Sequence, residues 1–146
     1  MPGSTPAHLY ATVVGALLAI AGLGGFFYEA SFDTGEPGLR SGELLGVVAV
    51  NGWANLLHLV CGLILLAAAA AGSARVWALG FGLLFAVLAV WGFAAGDAIA
   101  GLLPVNTGSN VAHLAIGLLG LGAGAATPEE GGHAARGPRE AGRRAE

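Results

Sequence analysis

Residues 50–63 read VNGWANLLHLVCGL, and residues 105–118 read VNTGSNVAHLAIGL. The two stretches share two Asn, one His and one Gly at identical spacing, namely Asn51, Asn55, His58 and Gly62 in the first copy and Asn106, Asn110, His113 and Gly117 in the second. Asn and His side chains are costly to place in hydrocarbon without a partner. A matched pair of such clusters inside apolar runs therefore predicts two equivalent membrane helices, in each of which the polar residues have a partner or a task.

The composition is that of an integral membrane protein. Of 146 residues, 55% are hydrophobic and 10% are charged, whereas soluble domains carry roughly 25% charged residues. A bilayer is crossed by about 20 apolar residues, and four runs of this kind are predicted as spans: residues 9–27, 44–71, 76–96 and 102–125. The expected partner is the lipid bilayer. The sequence shows no basic, aromatic-rich pattern, so we expect no nucleic-acid binding.

The first run is predicted to stay in the mature protein. Residues 1–8 contain no Lys or Arg, which a signal peptide normally carries before its apolar segment. The run also has a counterpart later in the chain, in the third run. We therefore expect a retained membrane helix rather than a cleaved leader.

The first and third runs are similar at a constant offset of 67 residues, and the motif runs are similar at an offset of 55. The difference of 12 residues falls in an insertion around residues 31–42. We predict a tandem duplication of a two-helix unit, with repeat one at 9–71 and repeat two at 76–126. Two spans per unit make the two helical hairpins parallel to each other. At the offset of 67, the first run matches the third at four pairs of similar residues: Tyr10 and Trp77, Gly15 and Gly82, Ala19 and Ala86, and Phe26 and Phe93.

Small residues lie at helical spacing in the first and third runs, and each motif run carries one Gly on the face of its polar residues. In lipid, helices associate through close backbone approach, which Gly and Ala permit. We expect close helix packing at four glycines: Gly15, Gly62, Gly82 and Gly117.

The arginines predict the orientation in the membrane. Arg75 lies in the short loop between the second and third runs, and four further Arg lie in the tail at residues 127–146, whereas Arg40 lies among acidic residues on the other side. The positive-inside rule places both termini in the cytoplasm. The tail carries four Arg and four Glu without apolar periodicity and is predicted to be disordered. The transmembrane domain is accordingly predicted at residues 1–126.

The spacing of the motif predicts a polar stripe along one face of each motif helix. Three interpretations follow for the six side chains of this stripe. They hydrogen-bond across helices and organise the bundle; or they line a path for a small solute in a channel or carrier; or His58 and His113 bind a b-type haem from opposite sides of a flat cavity. The first interpretation is favoured, and the six side chains are those of Asn51, Asn55, His58, Asn106, Asn110 and His113.

The sequence shows no signature of catalysis. No Ser/His/Asp triad, carboxylate pair or phosphate-binding loop can be assembled near the stripe, so we expect no enzyme and no catalytic residue. No carboxylate lies at the depth of the histidines, so no metal site is predicted, and no cofactor is expected unless the haem alternative holds. Cys61, the only cysteine, is interpreted as a small apolar filler. A homo-oligomer is compatible with the sequence, and any small-molecule ligand is unidentified.

The motif pair resembles a family of small bacterial four-helix membrane proteins, the domain of unknown function DUF4383, over about residues 9–125. The resemblance is carried by Leu44-Leu45-Gly46 with Val50-Asn51-x3-Asn55-x2-His58-Leu59, and by Leu103-Pro104-Val105-Asn106-x3-Asn110-x2-His113-Leu114. Family members often carry His and Asp at the positions of Ala54 and Ser109, and this departure favours the structural interpretation. The resemblance implies a bacterial plasma-membrane location and transfers no activity.

Overall fold

The computed structural model describes residues 4–35 and 38–129, which form four helices and four short strands. All four helices are long and apolar enough to cross a membrane. The predicted set of four membrane-length helices is therefore confirmed. The order along the chain is α1 (Pro6–Gly25), β1 (Gly42–Leu44), β2 (Val48–Val50), α2 (Gly52–Ala70), α3 (Ala74–Ala95), β3 (Ala98–Ile99), β4 (Leu103–Pro104) and α4 (Thr107–Ala125).

The helices pack mainly as consecutive pairs. The longest interfaces are α1 with α2 and α3 with α4, and smaller contacts join α1 to α3 and α4 and α2 to α3. The shared core includes the fully buried side chains of Leu65 and Phe85. Large apolar side chains cover the outer surface, as lipid contact requires; among them are Leu17, Ile20, Leu63, Val90 and Leu118.

Glycines bring the paired helices into backbone contact. A Cβ on Gly62 would meet the backbone of Ala19 and Gly15, and a Cβ on Gly117 would meet the backbone of Ala86. A Cβ on Gly82 would meet the backbone of residues 117–121, and one on Gly15 would lie 3.0 Å from the Cβ of Leu65. All four glycines predicted to permit close packing thus lie at helix–helix contacts.

The motif helices begin later than predicted. α2 starts at Gly52 rather than at residue 44, and α4 starts at Thr107 rather than at residue 102. Asn51 and Asn106 have extended backbone and cap these helices, so they precede the helix instead of lying on its face. Asn is among the best N-cap residues because its side-chain oxygen accepts an otherwise unpaired amide of the first turn.

Each motif helix is preceded by a small antiparallel hairpin. In the first, Glu43 pairs with Ala49 and Leu44 with Val48. In the second, Ala98 pairs with Pro104 and Ile99 with Leu103, so Pro104 lies in a strand and not at the start of a helix. Each turn contains a non-glycine residue followed by Gly, and both are in the left-handed region: Leu45 (φ 54°) with Gly46, and Ala100 (φ 53°) with Gly101. Since residues other than Gly rarely adopt this conformation, both turns are strained at the same point.

Thr127 belongs to the packed structure, although the sequence places it in a disordered tail. Its side chain is buried, and its hydroxyl accepts the backbone N–H of Ala7 at 2.9 Å and donates to the carbonyl of Ala123 at 2.8 Å. The backbone carbonyl of Thr127 accepts from Arg75 Nε at 2.9 Å. The start of α1, the start of α3 and the end of α4 therefore meet at one end of the bundle, and the two β-hairpins lie at the other. The rest of the predicted tail, from residue 130, lies outside the described residues.

Candidate functional site

Asn51 and Asn106 each make two kinds of hydrogen bond. Asn51 Oδ1 accepts the backbone N–H of Ala54 at 2.9 Å, and Asn106 Oδ1 accepts that of Ser109 at 2.8 Å. The amide nitrogens point away from the capped helices: Asn51 Nδ2 donates to the carbonyl of Leu102 at 2.8 Å, and Asn106 Nδ2 donates to that of Val47 at 3.0 Å. Each cap of one helix thus also binds the β-hairpin that precedes the other motif helix.

Two more hydrogen bonds join the same regions. The hydroxyl of Ser109, which is almost fully buried, accepts the backbone N–H of Ala49 at 2.9 Å. The backbone N–H of Gly35 donates to the carbonyl of Gly101 at 2.8 Å. These bonds and the two Asn amides connect the hairpin end of the bundle across its two halves.

Asn55 and Asn110 lie one turn deeper and pack against glycines of the neighbouring helix. A Cβ on Gly25 would overlap the side-chain oxygen of Asn55, and a Cβ on Gly92 would overlap that of Asn110. Asn55 Nδ2 donates to the backbone carbonyl of Glu29, which lies beyond the end of α1, at 2.8 Å. The two Oδ1 atoms are buried without a hydrogen-bond partner. Gly25 and Gly92 therefore provide the space that these amides occupy.

His58 and His113 meet in the middle of the bundle. Their Nε2 atoms are 3.4 Å apart, and their ring centroids are 5.8 Å apart with the planes inclined by 61°. Both side chains are 6% exposed, and Phe85 of α3 packs on both rings at centroid distances of 6.2 and 5.4 Å. The Nδ1 atom of each ring is buried without a partner. This contact links α2 to α4, two helices that otherwise touch little.

The structure joins four of the six predicted stripe residues across the two halves, at two levels of the bundle. Five of the six are buried, and Asn106 is half-buried. The outer pair, Asn51 and Asn106, joins the halves through hairpins, and the deepest pair, His58 and His113, joins them by direct contact. Asn55 and Asn110 instead face glycines on α1 and α3, the helices with which α2 and α4 share their longest interfaces.

Sequence reasoning missed two groups that belong to this arrangement. In the sequence, Ser109 stands out only as a departure from the family pattern, yet its hydroxyl accepts a hydrogen bond from the other half. Tyr10 crosses from α1 to α4, where its hydroxyl donates to the carbonyl of Ile116 at 3.2 Å. A hydroxyl on the residue before Asn110 was a visible signal for the first. No sequence signal identifies the second, because its acceptor is a backbone carbonyl in a distant helix.

The loop after α1 carries the polar groups of the hairpin end. The backbone N–H of Ser31 donates to Glu29 Oε1 at 2.9 Å, and this bond holds the pKa of Glu29 below its usual range. Arg40 Nε lies 2.6 Å from Asp33 Oδ2, and that bond raises the pKa of Arg40. Phe32 packs edge-on against Trp53 at 5.0 Å. The loop is thus tied both to itself and to the first turn of α2.

The imidazole pair is the strongest candidate for holding an ion or cofactor. Within residues 4–35 and 38–129, no group of three or more His, Cys, Asp or Glu side chains is arranged to hold a metal ion. Cys61 is a free, buried thiol. The donor set at the centre of the bundle therefore consists of two imidazole nitrogens.

Comparison with known proteins assigns a family but no activity. The family model described as Domain of unknown function (DUF4383) matches residues 8–126, which include all four helices almost completely. No curated protein matches the chain, and no solved structure matches it.

Proposed function

Because this chain belongs to the family described as Domain of unknown function (DUF4383), whose description names no activity, we propose a function from the geometry alone: the paired motifs join two helical hairpins into one membrane-embedded bundle, and the protein is not an enzyme. The observation that carries the proposal is the reciprocal pair of hydrogen bonds from Asn51 to Leu102 and from Asn106 to Val47. Each bond runs from one half of the chain to the other.

A duplicated two-helix unit gives a reason for this reciprocity. Asn51 and Asn106 are related by the same 55-residue offset as His58 and His113, and so are their acceptors, Val47 and Leu102. The hairpin registers and the strained turns follow the same offset. A repeat related by a two-fold axis along the membrane normal would make each contact occur twice, in opposite directions.

One hydrogen bond without a counterpart in the other half supports the same proposal. Ala49 donates its N–H to Ser109. At the 55-residue offset, the corresponding residues are Pro104, which has no N–H, and Ala54, which has no hydroxyl. Donor and acceptor are both missing from the second position, so no buried polar group is left unpaired there. A structural role for the motif region accounts for this matched loss.

The close contacts support a structural role over the two alternatives. A solute path would need space between Asn55, His58, Asn110 and His113, but each of these side chains packs against a glycine or against the other ring. A haem bound between the histidines would need room for a porphyrin plane, yet the two Nε2 atoms are 3.4 Å apart and Phe85 packs on both rings. Either ligand would require the helices to separate first.

We propose that the protein lies in a bacterial plasma membrane with both termini in the cytoplasm. Arg75 lies at the end of the bundle where α1 begins and α4 ends, and its side chain is held there by Thr127 and by Glu129, 3.4 Å away. The positive-inside rule assigns this end to the cytoplasm. The hairpin end, with Glu29 and Asp33, then faces outward. A homo-oligomer and a small-molecule ligand stay predictions.

The experiment that tests the proposed role compares unfolding of full-length variants in detergent. His58→Ala and His113→Ala are each expected to lower the unfolding free energy by about 1 kcal/mol or more, because an interhelical polar contact and buried volume are lost together. Leu63→Ala and Leu118→Ala, at lipid-exposed positions of the same two helices, serve as controls. If both His variants unfold like the controls, the structural role is wrong.

A further inference from the structure

The two imidazoles point their Nε2 atoms at each other in a site that contains few other polar groups. The Nε2 atoms are 3.4 Å apart, and both rings are almost completely buried. Phe85 packs on both rings, and the titratable side chains of the surrounding buried core cluster are those of Tyr10 and Cys61. Tyr10 is engaged by the carbonyl of Ile116. The site therefore offers two convergent nitrogen ligands in apolar surroundings.

A hydrogen bond between the two rings does not give every ring nitrogen of His58 and His113 a partner. Protein N–H hydrogen bonds are usually about 2.9–3.0 Å long, and this one spans 3.4 Å. If one Nε2 donates, the other ring must accept and carries its own proton on Nδ1. Both Nδ1 atoms lack a partner, so one buried N–H stays unpaired in this arrangement. The unpaired N–H lies on the Nδ1 side of its ring, whereas the two Nε2 atoms point at each other, and a cation bound between them would replace this long hydrogen bond.

The ligand set selects the kind of ion. Zn²⁺ in proteins takes about four ligands, commonly including thiolate or carboxylate, and residues 4–35 and 38–129 contain no cluster of three or more such side chains. A divalent charge with two neutral ligands would also be very costly in an apolar site. Closed-shell monovalent ions of the copper group accept two nitrogen ligands, and imidazole suits copper. An aromatic face such as that of Phe85 favours a nearby cation.

We propose that His58 and His113 together bind one monovalent copper-group cation, Cu(I) or its analogue Ag(I), through their two Nε2 atoms. Each ring keeps one proton, held on Nδ1, so that both Nε2 lone pairs face the ion and no proton is released. The copper is taken up already reduced, so no electron is transferred. The ion ties α2 to α4 at the point where the two rings meet.

This inference goes beyond the proposed structural role and fails separately from it. A His pair that binds no ion would still contribute to the stability of the bundle. Ion binding is therefore tested by a direct readout, and unfolding serves only to show that each variant is folded.

The test uses full-length protein in detergent with Cys61→Ala, which removes the only thiol. Ag(I) is titrated calorimetrically in chloride-free buffer, and Cu(I) is titrated against a chromogenic Cu(I) chelator. One equivalent is expected to bind. Replacing a direct ligand by His58→Ala or His113→Ala is expected to weaken binding more than about 100-fold, which exceeds the usual effect of changes outside the ligand set. His8→Ala, at an exposed position in the first turn of α1, is expected to leave ion binding unchanged.

Three results would overturn the proposal. One is that the Cys61→Ala protein takes up no ion. Another is that both His variants bind as tightly as their parent. The third is sulfur among the neighbours of copper in the X-ray absorption spectrum of the Cu(I)-loaded protein of natural sequence. Two nitrogen neighbours would support the site. This measurement does not require any His variant to fold.

Discussion

Asn51 and Asn106 form the same pair of hydrogen bonds in opposite directions between the two halves of the chain. Each Oδ1 caps its own helix, and each Nδ2 donates to a carbonyl in the hairpin that precedes the other helix. The acceptor carbonyls belong to Leu102 and Val47, each the third residue of a strained turn. In both turns, a left-handed residue and a left-handed glycine come directly before the residue whose carbonyl accepts the Asn amide.

The glycines opposite the deeper Asn side chains give the first prediction. Gly25→Ala and Gly92→Ala should each destabilise the protein by about 1–3 kcal/mol, the usual effect of overpacking, because the new methyl overlaps the amide of Asn55 or Asn110. The controls are Gly24→Ala and Gly80→Ala in the same helices, where a Cβ has nothing within 4 Å. These should be neutral or slightly stabilising, because Ala favours helix over Gly. Thermal unfolding in detergent measures the stability of all four variants. Equal effects in the test and control variants would show that Gly25 and Gly92 do not pack against the Asn amides.

The glycines at the helix crossings should tolerate substitution less well. A Cβ on Gly62 or Gly117 would meet backbone atoms of α1 or α3, which cannot rotate away as a side chain can. We expect Gly62→Ala and Gly117→Ala to lower the unfolding free energy by more than Gly25→Ala does, at or above the upper end of about 3 kcal/mol. Gly122→Ala, in open space on α4, is the matched control. A Gly62→Ala protein as stable as the control would show that α1 and α2 do not cross there.

The hydroxyl of Thr127 is predicted to fix the end of the bundle opposite the hairpins. Thr127→Val keeps the shape of the side chain but removes the acceptor for the N–H of Ala7 and the donor to Ala123. The expected loss is about 1–3 kcal/mol, because a buried N–H is left unpaired. Thr127→Ser, which keeps the hydroxyl, should lose less. Hydrogen exchange at Ala7 should become faster in the Val variant alone; unchanged protection there would mean that the bond to Ala7 is not formed.

The helices are predictable from their apolar runs, whereas the starts of α2 and α4 depend on a weaker local signal. Residues 44–50 and 102–105 are short apolar runs directly before a helix, and such runs do not distinguish strand from helix by periodicity. A local signal did exist: Asn51-Gly52 and Asn106-Thr107 are N-cap sequences, since Asn before a helix accepts first-turn amides. Reading the Asn residues only as buried polar groups hid their capping role.

The partners of the motif residues depend on tertiary structure. Spacing alone grouped Asn51, Asn55 and His58 on one face, but the structure gives them three different neighbours: a hairpin carbonyl, a glycine and a second imidazole. A sequence repeat predicts that such contacts come in pairs. It does not predict which backbone atom in the other half accepts each bond, because that depends on how the hairpins sit against each other.

The most direct test of the reciprocal hydrogen bonds is the unfolding free energy of Asn51→Asp compared with Thr5→Asp. Asp caps a helix as well as Asn does, so both changes preserve capping. Thr5 caps α1 at an exposed position through a single bond to the N–H of His8, whereas Asn51 is fully buried and also donates to Leu102. The account predicts that Thr5→Asp changes stability by less than about 0.5 kcal/mol. It predicts that Asn51→Asp lowers stability by about 2 kcal/mol or more, because a carboxylate oxygen then faces a carbonyl that has lost its donor. An Asn51→Asp protein as stable as Thr5→Asp would contradict the claim that the paired motifs join the two halves.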